Sequence, residues 1–260
     1  MTALGTVASW LRCPVCAGSM ALDERSLRCD HGHVFDVARQ GYVNLLGHGA
    51  PQHADSAEMV AARQRFLHAG WYSPIADAVR EALSDADSVV EVGAGPGYYL
   101  AHALREGATG LATDISVPAC RRAAKVDARV AAVVADTWAG LPLRDACVDA
   151  VLCVFAPRNM SEFQRVLSPG GRVCIVVPNK GHLAELRAAE GLLNIDGDKA
   201  ERLTASLTDA TTTRLRFPLD LDTQAATDLV GMGPNAFHQR RAAAACITTV
   251  DVSVVVGSYQ

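Results

Sequence analysis

The sequence predicts an α/β fold, an open and mostly parallel sheet over residues 86–260, preceded by a small N-terminal zinc-binding module. Three observations lead there. Ser88-Val-Val-Glu-Val92 is a short apolar run that passes directly into Gly93-Ala-Gly95-Pro-Gly97 and then into a helical stretch, the strand–glycine loop–helix order that opens such sheets. Further apolar runs follow, two of them ending in aspartate. Before all of these, three cysteines and two histidines crowd into residues 13–33.

The first 45 residues read as a metal knuckle. Cys13-Pro-Val-Cys16 can hold one ion from a single tight turn, and twelve residues separate it from Cys29, with His33 following. Zinc takes four sulfur or nitrogen donors in a tetrahedron, and four protein ligands leave no open position, so the site reads as structural. Gly32 permits the sharp turn inside Cys29-Asp-His-Gly-His33, where His31 competes with His33 for the fourth place. A free CxxC, redox-active or merely buried, is the bland alternative. So small a segment has little core, and a metal would supply much of its folding energy.

Residues 46–85 read as a linker and helices. The stretch 46–57 is loop-like. Apolar residues then recur at helical spacing from Ala57 to Phe66, with Arg63 and Arg65 assigned to the polar side, and a second helix is expected from about Pro74 to Leu83.

Residues 86–260 carry the sheet. Gly110 to Asp114 is a second strand ending in an acid that can accept hydrogen bonds from ribose hydroxyls, or simply cap the next helix. Val130 to Asp136 is a third; its acid can face an adenine amino group or be an ordinary turn residue. Asp149 to Phe155 is a fourth, and the turn Leu167-Ser-Pro-Gly-Gly-Arg172 feeds a fifth at Val173 to Val177. Residues 183–209 look helical, with Leu192, Leu193, Leu203 and Leu207 as core candidates. A strand over Thr211 to Leu219, helices over 223–231 and about 237–246, and a strand over Ile247 to Val256 complete the chain; Phe237 and His238 are packing residues that can also line a cleft.

Composition bounds the function. Half of the 260 residues are apolar, enough for a sizeable core. No apolar run reaches the roughly 18 residues of a membrane span, and the start lacks the basic and apolar regions of a signal peptide, so a cytoplasmic protein with no membrane partner is expected. The net charge of −4 counts mildly against a dedicated nucleic-acid binder. Cys120, Cys147, Cys153, Cys174 and Cys246 lie among apolar residues and read as small hydrophobes.

The succession over residues 86–180 resembles the class I S-adenosylmethionine-dependent methyltransferases, whose Rossmann-like sheet has seven mostly parallel strands. The resemblance implies that Glu91, Gly93, Gly95 and Gly97 pack against the cofactor, that Asp114 holds its ribose and that Asp136 faces its adenine. A nicotinamide cofactor is the rival for the glycine loop; the LSPGG turn and the lack of a hydride-transfer constellation count against it.

A narrower resemblance covers nearly the whole chain. CPVC, then CDHGHVFDVARQGYVNLL at 29–46, AGWYSP at 69–74, VFAPRN at 154–159 and GHLAEL at 181–186 are similar to the 23S ribosomal RNA guanine-N1 methyltransferases, most of all the actinomycete members that confer tylosin resistance. This implies methylation of guanine N1 in hairpin 35, near the macrolide site, by a homodimer whose two knuckles grip one RNA. It places zinc on Cys13, Cys16, Cys29 and His33, and cofactor contacts on Tyr72, Gly95, Pro96 and His182. By themselves Tyr72 reads as a core aromatic and His182 as a surface residue at a helix start. Two departures stand out: the loop at 47–56 is nearly uncharged where some relatives carry a basic run, and Pro96 stands where several relatives have an acid or small residue.

The methyl of this cofactor already sits on a cationic sulfur, so catalysis is mostly alignment. Guanine N1 must lose its proton, or have that loss favoured through O6, and the base must leave its stack. Arg158, for O6 or a phosphate, and Asn159, for the guanine edge, are the catalytic candidates; Arg158 can equally be a solvated loop residue. Two other readings remain: a small-molecule methyltransferase acting on a quinone or natural product, and a zinc-dependent RNA-binding protein without catalysis.

Overall fold

Valine- and alanine-rich runs that do not alternate with polar residues call for burial on both faces. In the computed structural model, which describes residues 2–47, 54–192, 195–233 and 242–259, they become the middle of one large sheet. Its central strands are parallel: β5 (Ser88–Val92), β6 (Thr109–Asp114), β7 (Val130–Val134), β8 (Val148–Val154) and β9 (Leu167–Pro178). They are preceded in the chain by β1 (Met20–Asp23), β2 (Ser26–Cys29), β3 (Val34–Asp36) and β4 (Val43–Asn44), and followed by β10 (Thr208–Leu221) and β11 (Cys246–Ser258). The spatial order is β10-β11-β9-β8-β5-β6-β7-β4, with β11 antiparallel to both neighbours. Seven of these strands match the expected plan. The eighth, β4, does not: two residues carry no readable period, yet Val43 and Asn44 pair in parallel with Val133 and Val134.

Successive strand residues point to opposite faces. Val89, Ala112, Ala132, Leu152 and Val176 pack against helices α2 (Ala57–His68), α3 (Ser73–Ala82), α4 (Tyr98–Ala103), α5 (Val117–Ala123) and α9 (Thr223–Gly231). Val90, Val92, Leu111, Val133, Val151 and Ile175 face the other way, toward α1 (Ala3–Val7), α6 (Met160–Val166) and α8 (Lys199–Ala205). Residues 135–147, which cross from β7 to β8, form no helix. The N-terminal module covers the sheet there instead: Leu4, Val7, Leu11 and Leu27 share a core with Leu111, Val133, Leu141 and Leu143. Leu11 bridges to Leu143, the Arg12 amide donates to the Pro142 carbonyl, and Arg144 donates to Ser19 Oγ at 2.6 Å. Each such fully buried leucine contributes about 1.5–3 kcal/mol, so module and sheet stabilise one another.

Several expectations need correction. Only part of 183–209 is helical: its described residues hold α7 (Ala184–Glu190) and α8, and β10 begins at Thr208; Leu203 is buried, Leu192 and Leu207 are half-buried, and Leu193 lies outside the described residues. The LSPGG turn is taken into the start of β9. Of the helix expected at about 237–246, residues 237–241, with Phe237 and His238, lie outside the described residues; 242–245 have no regular structure, and Cys246 opens β11 in pairing with Leu221. Arg63 is half-buried, not on a solvent face. Among the scattered cysteines, Cys120, Cys153 and Cys174 are buried and Cys147 and Cys246 half-buried. No helix among the described residues is long and apolar enough to cross a membrane.

Candidate active site and metal cluster

The carboxyl ends of β5, β6, β7 and β8 form one edge. At β5 the chain turns through Gly93, Gly95 and Gly97, all in the left-handed region that glycine adopts without strain. Gly93 also has no room for a side chain, since a Cβ there would stand 2.4 Å from the Cβ of Ala156. Pro96 lies buried inside the loop.

Asp114 closes β6 and fastens the loop. Its Oδ2 accepts from the Gly95 amide and its Oδ1 from the Ser116 amide, both at 2.8 Å. Burial pushes this carboxyl above the usual aspartate range, against the pull of those two donors. Each carboxylate oxygen has two acceptor positions, so capacity remains for further donors. Glu91 differs from expectation. It is 1% exposed, beneath the loop, and its carboxylate accepts from the Leu100 amide at 3.1 Å, so it anchors α4 from below and does not face the open edge. Asp136 lies beyond the end of β7 with Oδ1 accepting from the Trp138 amide at 2.8 Å.

Three aromatic rings from distant parts of the chain meet beside this edge. Tyr72, 2% exposed, lies 6.0 Å from Phe155 and 6.3 Å from His182, and Phe155 stacks on His182 at 5.7 Å. Phe155 and Leu183 both hold positive φ, +54°, a strained state for residues with large side chains and one that gathers at functional sites. His182 accepts from the Asp251 amide at Nδ1, 3.3 Å, which leaves the ring proton on Nε2. Burial pushes its pKa down to about 4, opposed by the charge of Asp251 and aided by Arg187. The folded state therefore holds this ring neutral where an unfolded chain, titrating near 6.5, takes up a proton. Stability is lost as pH falls between those values. Wild type should lose about 2–3 kcal/mol more than His182→Phe between pH 6.5 and pH 4 in denaturant titrations; parallel losses would reject a buried neutral ring.

The two catalytic candidates separate. Arg158 is half-buried on the loop after β8 and makes no ion pair among the described residues. Asn159 is committed elsewhere: its Nδ2 donates to the Thr137 carbonyl at 3.0 Å, and its Oδ1 accepts from Ser161 Oγ and from the Glu162 amide that opens α6. Its oxygen thus caps α6 and one Nδ2 hydrogen clasps the 137 segment, which leaves the second Nδ2 hydrogen for a ligand. Phe155 and Tyr99 were not singled out from the sequence. Phe155 stands in the FAPRN segment that contains the catalytic candidates, and Tyr99 follows the last loop glycine. The Tyr99 hydroxyl is buried without a hydrogen-bond partner among the described residues, a donor awaiting a ligand and therefore a mark that this cradle suits one.

The four predicted metal donors converge. Sγ of Cys13, Cys16 and Cys29 and a ring nitrogen of His33 lie within 4.8 Å of one another. Cys16 and Cys29 are 3.3 Å apart, and Cys13 Sγ is 3.5 Å from His33 Nδ1. A tetrahedron with metal–sulfur bonds of about 2.3 Å has edges of about 3.8 Å, so the donor set fits a zinc ion. His31 is not in this set of four but joins Cys29 and Asp30 in a second, overlapping group; it is exposed, with Nδ1 3.5 Å from Cys16 Sγ and 3.0 Å from Asp30.

Comparison with known proteins agrees with both halves of this arrangement. Residues 11–48 match the zinc-ribbon family described as RlmA, N-terminal, and residues 90–175 match the family described as Methyltransferase domain. A Streptomyces fradiae protein named 23S rRNA (guanine(748)-N(1))-methyltransferase is 46% identical, over 90% of this chain and 88% of its own. A Micromonospora griseorubida protein provisionally named 23S rRNA (guanine-N(1)-)-methyltransferase is 45% identical over 88% of this chain and 87% of its own. Bacillus subtilis YxjB, provisionally named in the same way, is 33% identical over 96% of this chain and 97% of its own. With a Cys3His cluster and a glycine-loop edge joined in one fold, and relatives alike from end to end, the chain belongs to the 23S rRNA (guanine-N1)-methyltransferase family.

Proposed function

We propose that the chain transfers a methyl group from S-adenosylmethionine to N1 of a guanine in hairpin 35 of 23S rRNA, in the cytoplasm, and that macrolide (tylosin) resistance follows. Methylation of rRNA guanine N1 comes with family membership, and the observation that carries it is likeness along nearly the whole chain, knuckle included. Hairpin 35, the resistance and a homodimer gripping one RNA rest on the resemblance described above. Neither rival accounts as well for these features. A small-molecule methyltransferase has little use for the knuckle, and a protein without catalysis has no need of the Asp114–Gly95 clasp.

In this reading Cys13, Cys16, Cys29 and His33 hold one structural zinc. Gly93, Gly95, Pro96 and Gly97 bring the backbone close to the cofactor, Asp114 accepts from its ribose, Asp136 faces its adenine, and the rings of Tyr72 and His182 wall its reactive end. Glu91 supports the loop from beneath. When bound, the cofactor supplies an electrophilic methyl that needs no further activation. The work of the chain is to align guanine N1 with it. The 155–159 loop offers no carboxylate base. Arg158, as a cation without a carboxylate partner among the described residues, can donate to O6 and so favour loss of the N1 proton to solvent.

The test uses purified protein, labelled cofactor and rRNA from a strain lacking the modification. Label at N1 of one hairpin 35 guanine is expected, and its absence would remove the RNA reading. Arg158→Ala should lower kcat about 10- to 100-fold with cofactor affinity unchanged. A kcat equal to wild type would return Arg158 to the solvent.

A further inference from the structure

Arg63, on α2, lies across the glycine loop. A Cβ built on Gly95 would stand 3.1 Å from its Nη1 and 3.3 Å from its Cδ. Two contacts fix the guanidinium there: Nη1 pairs with Asp55 Oδ2 at 2.6 Å and Nη2 donates to the Met232 carbonyl at 2.6 Å. Asp55 is itself tied to the ribose end, since its carbonyl accepts from Ser116 Oγ at 2.7 Å and the Ser116 amide donates to Asp114. Tyr99, in the first turn of α4 just past the loop, has a buried hydroxyl with no hydrogen-bond partner among the described residues. An arginine has five N–H donors, so two contacts leave donors for a ligand.

The chemistry of this corner is particular. It presents a cation, an anion beside it and a buried hydroxyl with nothing to bond. A phosphate would meet Asp55 as well as Arg63 and be repelled by the acid. A zwitterion with a carboxylate and an ammonium on one carbon satisfies both charges, and a guanidinium fork suits a carboxylate. We propose that Arg63 and Tyr99 hold the carboxylate of the cofactor's amino-acid end while Asp55 receives its ammonium. The assignment rests on the S-adenosylmethionine reading and adds three residues to it.

The experiment is calorimetric titration of the full chain with S-adenosylhomocysteine, which has the amino-acid end, and with 5′-methylthioadenosine, which lacks it. Wild type should bind both. Arg63→Met should weaken S-adenosylhomocysteine about 30-fold and methylthioadenosine less than about 2-fold, and Tyr99→Phe should weaken only the former, about 3- to 10-fold. Equal weakening of both ligands by Arg63→Met would make Arg63 a structural clasp and overturn the proposal, as would no weakening of either. If Arg63→Met fails to fold, Tyr99→Phe decides by the same ratio of the two ligands. Binding of inorganic phosphate that competes with S-adenosylhomocysteine and is lost in Arg63→Met would replace the amino-acid end with a plain anion site and overturn it too. Wild type that binds neither nucleoside would instead sink the cofactor reading.

Discussion

Cys29→Ser should lower the thermal midpoint by more than about 10 °C and abolish methylation of RNA. Cys29 ends β2 and is one of four donors whose ligand atoms lie within 4.8 Å of one another. A structural zinc contributes about 10–16 kcal/mol to the folding of small metal modules, and a site with three ligands keeps only part of it. The consequence reaches beyond the knuckle because Leu4, Val7, Leu11 and Leu27 cover Leu111, Val133, Leu141 and Leu143. Once the module opens, that half of the sheet meets water. At about 2–4 °C per kcal/mol for a chain of this size, a loss of several kcal/mol is plain in a calorimetric scan. A chelator should lower the wild-type midpoint further than the substitution does and lower that of the variant by a smaller step, since three ligands retain part of the metal's contribution. Unchanged zinc content and midpoint in Cys29→Ser would show that the four donors hold no metal.

Asp114→Ala should weaken cofactor binding by about 10- to 100-fold. Hydrogen bonds to a charged group contribute about 1.5–3 kcal/mol each, and tenfold in affinity is about 1.4 kcal/mol. The substitution removes the acceptor assigned to the ribose in the proposed reading and also releases the Gly95 amide, held at 2.8 Å, so that the loop itself loosens. Because burial raises this carboxyl's pKa, affinity should decline on acidification at a higher pH than an ordinary aspartate, near 3.9, would give. Calorimetry with S-adenosylhomocysteine measures both effects, and an unaltered dissociation constant in Asp114→Ala would contradict the ribose assignment.

What the sequence disclosed and what it concealed divide along physical lines. The strands at 88–92, 110–114 and 130–134 were readable because burial on both faces demands uninterrupted Val and Ala. The glycine loop was readable because backbone that approaches a ligand or another segment excludes side chains. The metal donors were readable because zinc geometry constrains spacing within a short segment. By contrast, Tyr72, Phe155 and His182 meet only through the folded sheet. No local pattern announces them, and Tyr72 and His182 were named through resemblance alone. Arg63 looked like a solvent-facing cation, since helical periodicity cannot reveal that a loop thirty residues on packs over that face. Asn159 carries the right chemistry for a base edge, and its oxygen serves as a cap as well, which no sequence pattern separates from the first role. The pairing of β4 with β7 was invisible, because a two-residue strand is defined by its partner.

The pairing of Val43 with Val133 and the bridge from Leu11 to Leu143 also bear on biosynthesis. On a chain made at roughly 5–20 residues per second, the module emerges about 5 to 20 s before the strand and crossover it will cover. During that interval its leucines lack the larger sheet that covers them and have only one another and the short β1-β2-β3 sheet to pack on. With zinc on the four donors as proposed, its uptake is an early event on the nascent chain, and cells starved of that ion should accumulate aggregated newborn protein while molecules already completed stay intact.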